Sequence, residues 1–250
     1  MNRRLRVPVM PLVAHDADLD AATARYVARV RRLGVGDQFV AFDPVARTEA
    51  DAIVLAVTAA GGVRCRFGEQ RAARLVAVGD VWLLQAVGKG DKVDQVIRDA
   101  TVLGATGIWL ASTQRTVVRI RDTTQRAARW QTIAVQAARQ SGRGDVPEIR
   151  GPDSLEKVLG HRSESAACRI CLDPGGEHPL GQLVSAWQSA TPLLILIGPE
   201  GGLTRGEVVA AERRGFVSAT LGPFTLRTET AATAVLGAVA ARLSTVNPGW

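Results

Sequence analysis

The sequence predicts an α/β protein with a small β-rich domain at its N-terminal end. Three observations lead there. From about residue 75 onward, short apolar runs alternate with runs of helical period, the pattern of strands and helices that build one sheet. Before that point the apolar runs, at 38–42, 52–57 and 63–67, are short and separated by turn signals at Asp43-Pro44 and Gly61-Gly62, as in a small barrel. Near the C-terminus, residues 193–204 (LLILIGPEGGLT) and 221–232 (LGPFTLRTETAA) each read as a strand that breaks into a tight loop and starts a helix. Two such loops close together predict one ligand cleft at the C-terminal ends of neighbouring strands. The expected division is residues 1–74 for the small domain and 75–250 for the α/β domain.

The elements follow in order. A helix is expected over 19–33, stopped by Gly34 and carrying Arg25, Arg29, Arg31 and Arg32; such a face is either simply solvated or turned toward RNA. Residues 81–87 read as a strand. Residues 91–103 read as a helix with Val93, Val96, Ile97 and Ala100 on one face and Gly104 as its stop. Strands are expected at 108–111 and 117–120, then a helix over 124–140 with Ala127, Trp130, Ile133, Ala134 and Ala137 inward, and a short helix at 182–187. The segment AACRICLDPGG reads as a strand entering a loop. Residues 193–197 are apolar throughout, hence a strand buried on both faces. Thr204 and Glu207 are spaced as a capping box for a helix over 204–214 that stops at Gly215. After a strand at 217–221, the helix over 230–243 is apolar nearly all round and must be buried in the core or against a partner chain.

Composition narrows the function. The chain has 250 residues, enough for a full core, and 46% hydrophobic content excludes a disordered protein. Net charge is +7 and the pI is about 10.3. Lysine occurs only at Lys89, Lys92 and Lys157; the arginine bias reads as codon usage, whereas the net positive charge points to a polyanion. No apolar run reaches the roughly 18 residues of a membrane span. Arg3, Arg4 and Arg6 before VPVMPLVA imitate a signal peptide, but Pro8 and Pro11 interrupt the stretch and it runs into His15-Asp16, so a cytoplasmic protein is expected. Three cysteines, an odd count, argue against a disulfide framework. Cys168-x-x-Cys171 has no second pair, and His161 and His178 lack ligand spacing, so no metal is expected. Gly88-x-Gly90 opens a helix, but position 93 is Val where a dinucleotide fingerprint has its third glycine.

The two glycine loops carry the chemistry. Gly198-Pro199-Glu200-Gly201-Gly202 lacks the Gly-Lys-Ser/Thr ending of a P-loop, and Glu200 would repel phosphate at a helix N-terminus. The loop suits a ligand without phosphates, whose adenine or ribose edge the backbone can approach where side chains are missing. A plain strand-to-helix turn also uses Gly and Pro. The second loop shifts the balance: Arg227-Thr228-Glu229-Thr230 sets a cation, an anion and two hydroxyls before a buried helix. Glu229 is placed to favour the helix dipole. Arg227, leading into an apolar helix, needs a carboxylate or a ligand as partner.

GPEGG followed by LG-x-x-x-LRTETA resembles the SPOUT class of RNA methyltransferases, and in particular the RsmE family, which methylates N3 of a uridine in 16S ribosomal RNA. Arg115-Thr116-Val117-Val118, Arg129-Trp130, AARQSGR at 137–143, VPEI at 146–149 and the segment 26–44 extend the resemblance over most of the chain. It implies a trefoil knot in residues 75–250 and a PUA-like, RNA-binding β-barrel in residues 1–74. S-adenosylmethionine is then expected against Leu172, Ile197, Gly198, Pro199, Gly201, Gly202, Leu221, Gly222, Leu226 and Thr228. The implied partners are ribosomal RNA of the small ribosomal subunit and a second copy of the chain, which would account for the apolar last helix.

Neutral uridine N3 must lose its proton to act as a nucleophile. Arg227 stays protonated, so its expected role is to stabilise charge on the uracil oxygens. Glu200 or Glu229 accepts the proton, or instead fixes Arg227. Arg3, Arg4, Arg115, Arg119 and Arg143 are candidate phosphate contacts. The chain departs from the family at polar positions. Arg98-Asp99 and Val102-Leu103-Gly104 stand where the family has QK-x-x-ELG, Arg139 replaces a Glu, and Phe224 replaces a basic residue. These departures leave two other readings open: a SPOUT methyltransferase with a different RNA target, and a non-catalytic knotted RNA-binding paralogue.

Overall fold

The computed structural model describes residues 4–116, 123–160 and 167–246, and the expected strand at 117–120 lies outside them. The chain divides into two units, Met1–Val76 with Ala138–Val146, and Ala77–Ala137 with Pro147–Trp250.

In the first unit, β1 (Arg6–Pro8), β2 (Ala17–Asp18), β3 (Gln38–Asp43), β4 (Thr48–Val57), β5 (Val63–Phe67) and β6 (Arg71–Ala72) form one sheet in the order β1-β3-β4-β5-β2, with β6 also on β4. The Asp43-Pro44 turn works through a buried carboxylate. Asp43 Oδ1 accepts from the Val45 and Ala46 N–H groups at 2.9 Å, and Oδ2 accepts from the Leu12 N–H. In β5 the pattern VRCRF alternates strictly, with Val63, Cys65 and Phe67 inward. Helix α1 (Ala21–Arg25) starts at Asp20, whose carboxylate accepts from the Ala22 and Thr23 N–H groups. The expected helix over 19–33 is not continuous: α1 gives way to a π-helical turn at Tyr26–Val30, closed by Arg31 N–H donating to the Tyr26 carbonyl, and Arg32 has φ +56°. The widened turn coincides with burial of Val27 against Val7, Phe39 and Val54. Arg25, Arg29, Arg31 and Arg32 are all exposed.

The second unit is a seven-stranded, wholly parallel sheet. In chain order its elements are β7 (Val81–Ala86), α2 (Lys92–Val102), β8 (Gly107–Ser112), α3 (Thr123–Ser141), β9 (Glu148–Ser154), α4 (Leu155–Leu159), β10 (Cys168–Leu172), β11 (His178–Pro179), α5 (Leu180–Ala186), β12 (Leu193–Ile197), α6 (Arg205–Glu212), β13 (Val217–Thr220) and α7 (Thr228–Val246). The strand order is β11-β13-β10-β12-β7-β8-β9. Every residue of β7 and β12 is buried, as expected of the wholly apolar run of β12 and of a β7 apolar but for Gln85. Helices α4 and α6 cover the face bearing Trp82, Leu84, Trp109, Leu194 and Leu196. Gln85 points the other way and meets Thr228 at the start of α7. Thr204 and Glu207 form the expected capping box of α6. Neither β9 nor α4 was expected: RGPDS within β9 reads as a turn, and five-residue α4 shows little more than one turn of period.

One packing detail sets a constraint on sequence. Trp82 and Trp109 lie on adjacent strands, their indole N–H groups donating to Asp80 and Asp153, and the Arg150 guanidinium stands 5.1 and 5.2 Å from their rings. Gly107 lies under Trp82, and a Cβ there would overlap the indole. Gly107→Ala is therefore expected to destabilise the protein by about 1–3 kcal/mol through overpacking. An unchanged urea midpoint would show that the buried ring can move aside.

Candidate functional site

A cavity of about 250 Å³ opens where β10, β12 and β13 end. It is just under the roughly 300–1,000 Å³ typical of small-molecule sites. Three strand-to-loop transitions wall it. The first, after β12, supplies Ile197, Gly198, Pro199, Glu200, Gly202 and Leu203; the second, after β13, runs from Leu221 through Leu226; the third, after β10, gives Leu172, Asp173 and Pro174. Thr228 and Ala231 of α7 complete the wall.

The glycines are required by geometry. Gly202 N–H donates to the Pro199 carbonyl and Gly202 has φ +70°, so the loop turns back on Gly198. A Cβ on Gly198 would stand 2.9 Å from the Leu203 nitrogen. Gly222 has φ +73°, and a Cβ there would meet no protein atom within 4 Å.

Thr228 joins these parts. Its buried hydroxyl donates to the Gly198 carbonyl at 2.7 Å and accepts from Gln85 Nε2 at 2.8 Å. Gln85 is the one polar residue in the run VWLLQA, which was the available signal for it. Glu207 adds a second tie: Oε2 accepts from the Thr204 N–H, and Oε1 from the Gln114 N–H of the loop after β8. In the same loop Arg115 donates to the Gly201 carbonyl at 2.5 Å.

Charge is arranged around Lys92. Its ammonium donates to Glu200 Oε1 at 2.8 Å and lies 3.9 Å from Glu229 Oε2. The Lys89 N–H donates to the same Glu200 oxygen at 2.9 Å. Partial burial pushes the Glu200 carboxyl up, but the Lys92 and Lys89 hydrogen bonds outweigh it and hold the group below its ordinary range. Glu200 is therefore ionised at neutral pH.

Of the residues expected to hold the ligand, Leu172, Ile197, Gly198, Pro199, Gly202, Leu221, Gly222, Leu226 and Thr228 all line the cavity. Gly201 does not. The turn after Glu200 directs it toward Arg115, so its expected contact with the ligand is corrected to a contact with that side chain. Glu200 is on the wall, whereas Glu229 is buried away from it beside Lys92, with Oε2 lacking a hydrogen-bond partner. Arg227 is exposed, and its guanidinium has neither hydrogen bond nor ion pair among the described residues, so no carboxylate fixes it.

The arginines expected on phosphate divide. Arg4 is exposed and shares Asp51, and Arg115 is exposed with one donor engaged. Arg143 is corrected: it is 7% exposed and forms a two-bond pair with buried Asp145, at 2.8 and 3.0 Å. Breaking such a pair to reach a phosphate would strand a buried carboxylate. Arg3 and Arg119 lie outside the described residues. Cys168 and Cys171 sit within β10, and burial pushes both thiols up, Cys171 to about 12. Among the described residues no group of three or more His, Cys, Asp or Glu side chains could hold a metal ion.

A family model described as an RNA methyltransferase domain matches residues 77–240, which places the chain in the class of RNA methyltransferases. Ribosomal RNA small subunit methyltransferase E of Mycobacterium bovis is 30% identical over 236 residues, 93% of this chain and 89% of that one. The Bacillus subtilis protein of that name is 33% identical over 165 residues, 64% of each chain. A methyltransferase of Legionella pneumophila, solved with bound S-adenosylmethionine, has a TM-score of 0.86 at 25% identity, covering 96% of this chain and 98% of that one. The chain belongs to the ribosomal RNA small subunit methyltransferase E family, RsmE.

The Lys92 arrangement is open to direct measurement. Lys92→Met should raise the pKa of Glu200 toward the ordinary carboxylate range, read by carboxyl-carbon NMR. An unmoved pKa would mean that the Lys89 amide alone sets it.

Proposed function

We propose that this protein uses S-adenosylmethionine to methylate N3 of a uridine in 16S ribosomal RNA. The observation that carries this reading is the cavity built from two glycine loops that Thr228 holds together, in a chain of the RsmE family. S-adenosylmethionine has no phosphate and carries net positive charge, and the wall fits it. No Lys or Arg lines the cavity, Asp173 and Glu200 do, and Leu172, Ile197, Leu221 and Leu226 supply apolar surface. A side chain at Gly222 would stand in open space at the wall, so glycine keeps that space for a ligand. When bound, this cofactor supplies an electrophilic methyl group on sulfur.

The remaining work falls to the chain's own residues. Arg227, permanently charged and without a partner among the described residues, lies beside Leu226 and Thr228 and donates to the uracil carbonyl oxygens as N3 loses its proton. Glu200, ionised and on the wall, is the better placed of the two carboxylates to receive that proton; Glu229 is enclosed. Holding the base in attack geometry adds to the rate. Arg4 and Arg115 are the described phosphate contacts of this reading. The N-terminal sheet serves as a PUA-like RNA-binding barrel over residues 1–74, residues 75–250 form a trefoil knot, and α7 pairs with a second copy. The protein acts on the small subunit in the cytoplasm. No helix among the described residues is long and apolar enough to cross a membrane.

Arg227→Ala should lower methyl transfer to small-subunit RNA by about 100-fold or more while leaving S-adenosylmethionine affinity intact. Full activity would remove Arg227 from the mechanism, and a methyl group mapped elsewhere than uridine N3 would change the substrate. Gly198→Ala should weaken S-adenosylmethionine binding at least about tenfold by forcing the loop off Leu203, whereas Gly201→Ala, which meets only the Arg115 stem at 3.3 Å, should bind within about threefold of wild type in calorimetric titration. The reverse order would place the ligand on the other side of the loop.

A further inference from the structure

The chain has five phenylalanines. Phe39, Phe42, Phe67 and Phe216 are at most 4% exposed, whereas Phe224 is 80% exposed, the most of any large apolar side chain among the described residues. Single exposed apolar residues are ordinary on a protein surface. Phe224 differs in its position, because it lines the cavity together with Gly222, Pro223, Thr225 and Leu226 of its own loop. Gly222 turns the backbone through positive φ, and Pro223 fixes the φ of the residue before the ring. Three residues on, Arg227 is exposed and has no partner among the described residues. The loop thus presents an aromatic face and a free forked donor beside one opening.

The charge of the wall selects what can meet that face. Asp173 and Glu200 line the cavity without a cation among the lining residues, so phosphate is disfavoured there. A neutral, flat ring bearing carbonyl oxygens is not: its face suits phenylalanine and its oxygens suit arginine. We propose that Phe224 is a stacking platform for an unstacked nucleobase of single-stranded RNA at the mouth of the cavity, and so a recognition residue for the RNA substrate. This rests on the reading of the protein as an RNA methyltransferase. Stacking on an aromatic side chain tolerates any base, so Phe224 supplies affinity and orientation, and Arg227 supplies preference for a base with paired carbonyls.

The test uses the full chain with Phe224→Trp, Phe224→Leu and wild type. Trp82, Trp109, Trp130 and Trp187 are each at most 7% exposed, so the indole introduced by F224W is read as the difference from wild type. A short oligouridylate should quench that emission, and an abasic strand of the same length, with the same phosphates, should not. F224L should bind the oligouridylate about tenfold more weakly than wild type, and F224W should bind it as wild type does. F224L should lose more affinity for the oligouridylate than for S-adenosylmethionine. Equal quenching by the abasic strand, or wild-type RNA affinity in F224L, would overturn the proposal. So would a parallel loss of S-adenosylmethionine affinity, which would make Phe224 a cover for the methyl donor, or a changed oligomeric state, which would make it a contact between copies. If the wild-type chain moves no methyl group to ribosomal RNA, the proposed function fails, and the quenching still decides the platform.

Discussion

The site depends on one hydroxyl group. Thr228 Oγ1 has a single proton and gives it to the Gly198 carbonyl, while its lone pair receives Gln85 Nε2. These three residues lie at the end of β12, the start of α7 and the end of β7, so one buried group locks two loops and a central strand together. Valine in its place would keep the shape and lose both bonds, leaving the Gly198 carbonyl and the Gln85 amide short of a partner inside the protein, where each unmade bond costs on the order of 1–3 kcal/mol. Gln85 Nε2 meets both this hydroxyl and the Ala86 carbonyl from within an otherwise apolar strand.

Electrostatics works on the same small scale. The protein is strongly basic, yet the cavity wall is acidic. Lys92 stands behind that wall and sets the charge of Glu200, with Glu229 enclosed on its other side. The basic charge of the chain as a whole is thus kept off the cleft, whose lining holds Asp173 and Glu200 and neither Lys nor Arg. Arg143 shows that a basic residue in a basic protein need not belong to this division, since its whole fork is turned onto Asp145.

Much of this was legible in the residues. Apolar runs located β7 and β12, Thr204 and Glu207 located the start of α6, and eight of the nine residues expected from the two glycine loops line the cavity, as does Leu172 of β10. What escaped notice depends on strand order. Asp173 and Pro174 share the cavity because β10 inserts between β13 and β12, and no local period reports which strand lies beside which. Gly201 shows a related limit: within a run of glycines, only the turn decides which one lines the cleft and which lies against Arg115. Arg143 and Asp145 are two residues apart and look like any exposed pair until burial is known. The π-helical turn at Tyr26–Val30 has no sequence signal beyond a helix-like period.

The order of strands also bears on how the protein comes into being. At the middle of the parallel sheet, Leu193 pairs with Val81, so more than a hundred residues separate two neighbouring strands. A pairing that distant carries a loop-closure cost before any contact rewards it, and such topologies fold slowly. The cleft needs β13 as well, and its clasp, Thr228, comes later still. A chain emerging from the ribosome therefore carries β7 and β8 long before it has anything to place against them on one side. The cleft is the last part of this unit to form: it cannot close before Thr228 has been made, well over a hundred residues after β7.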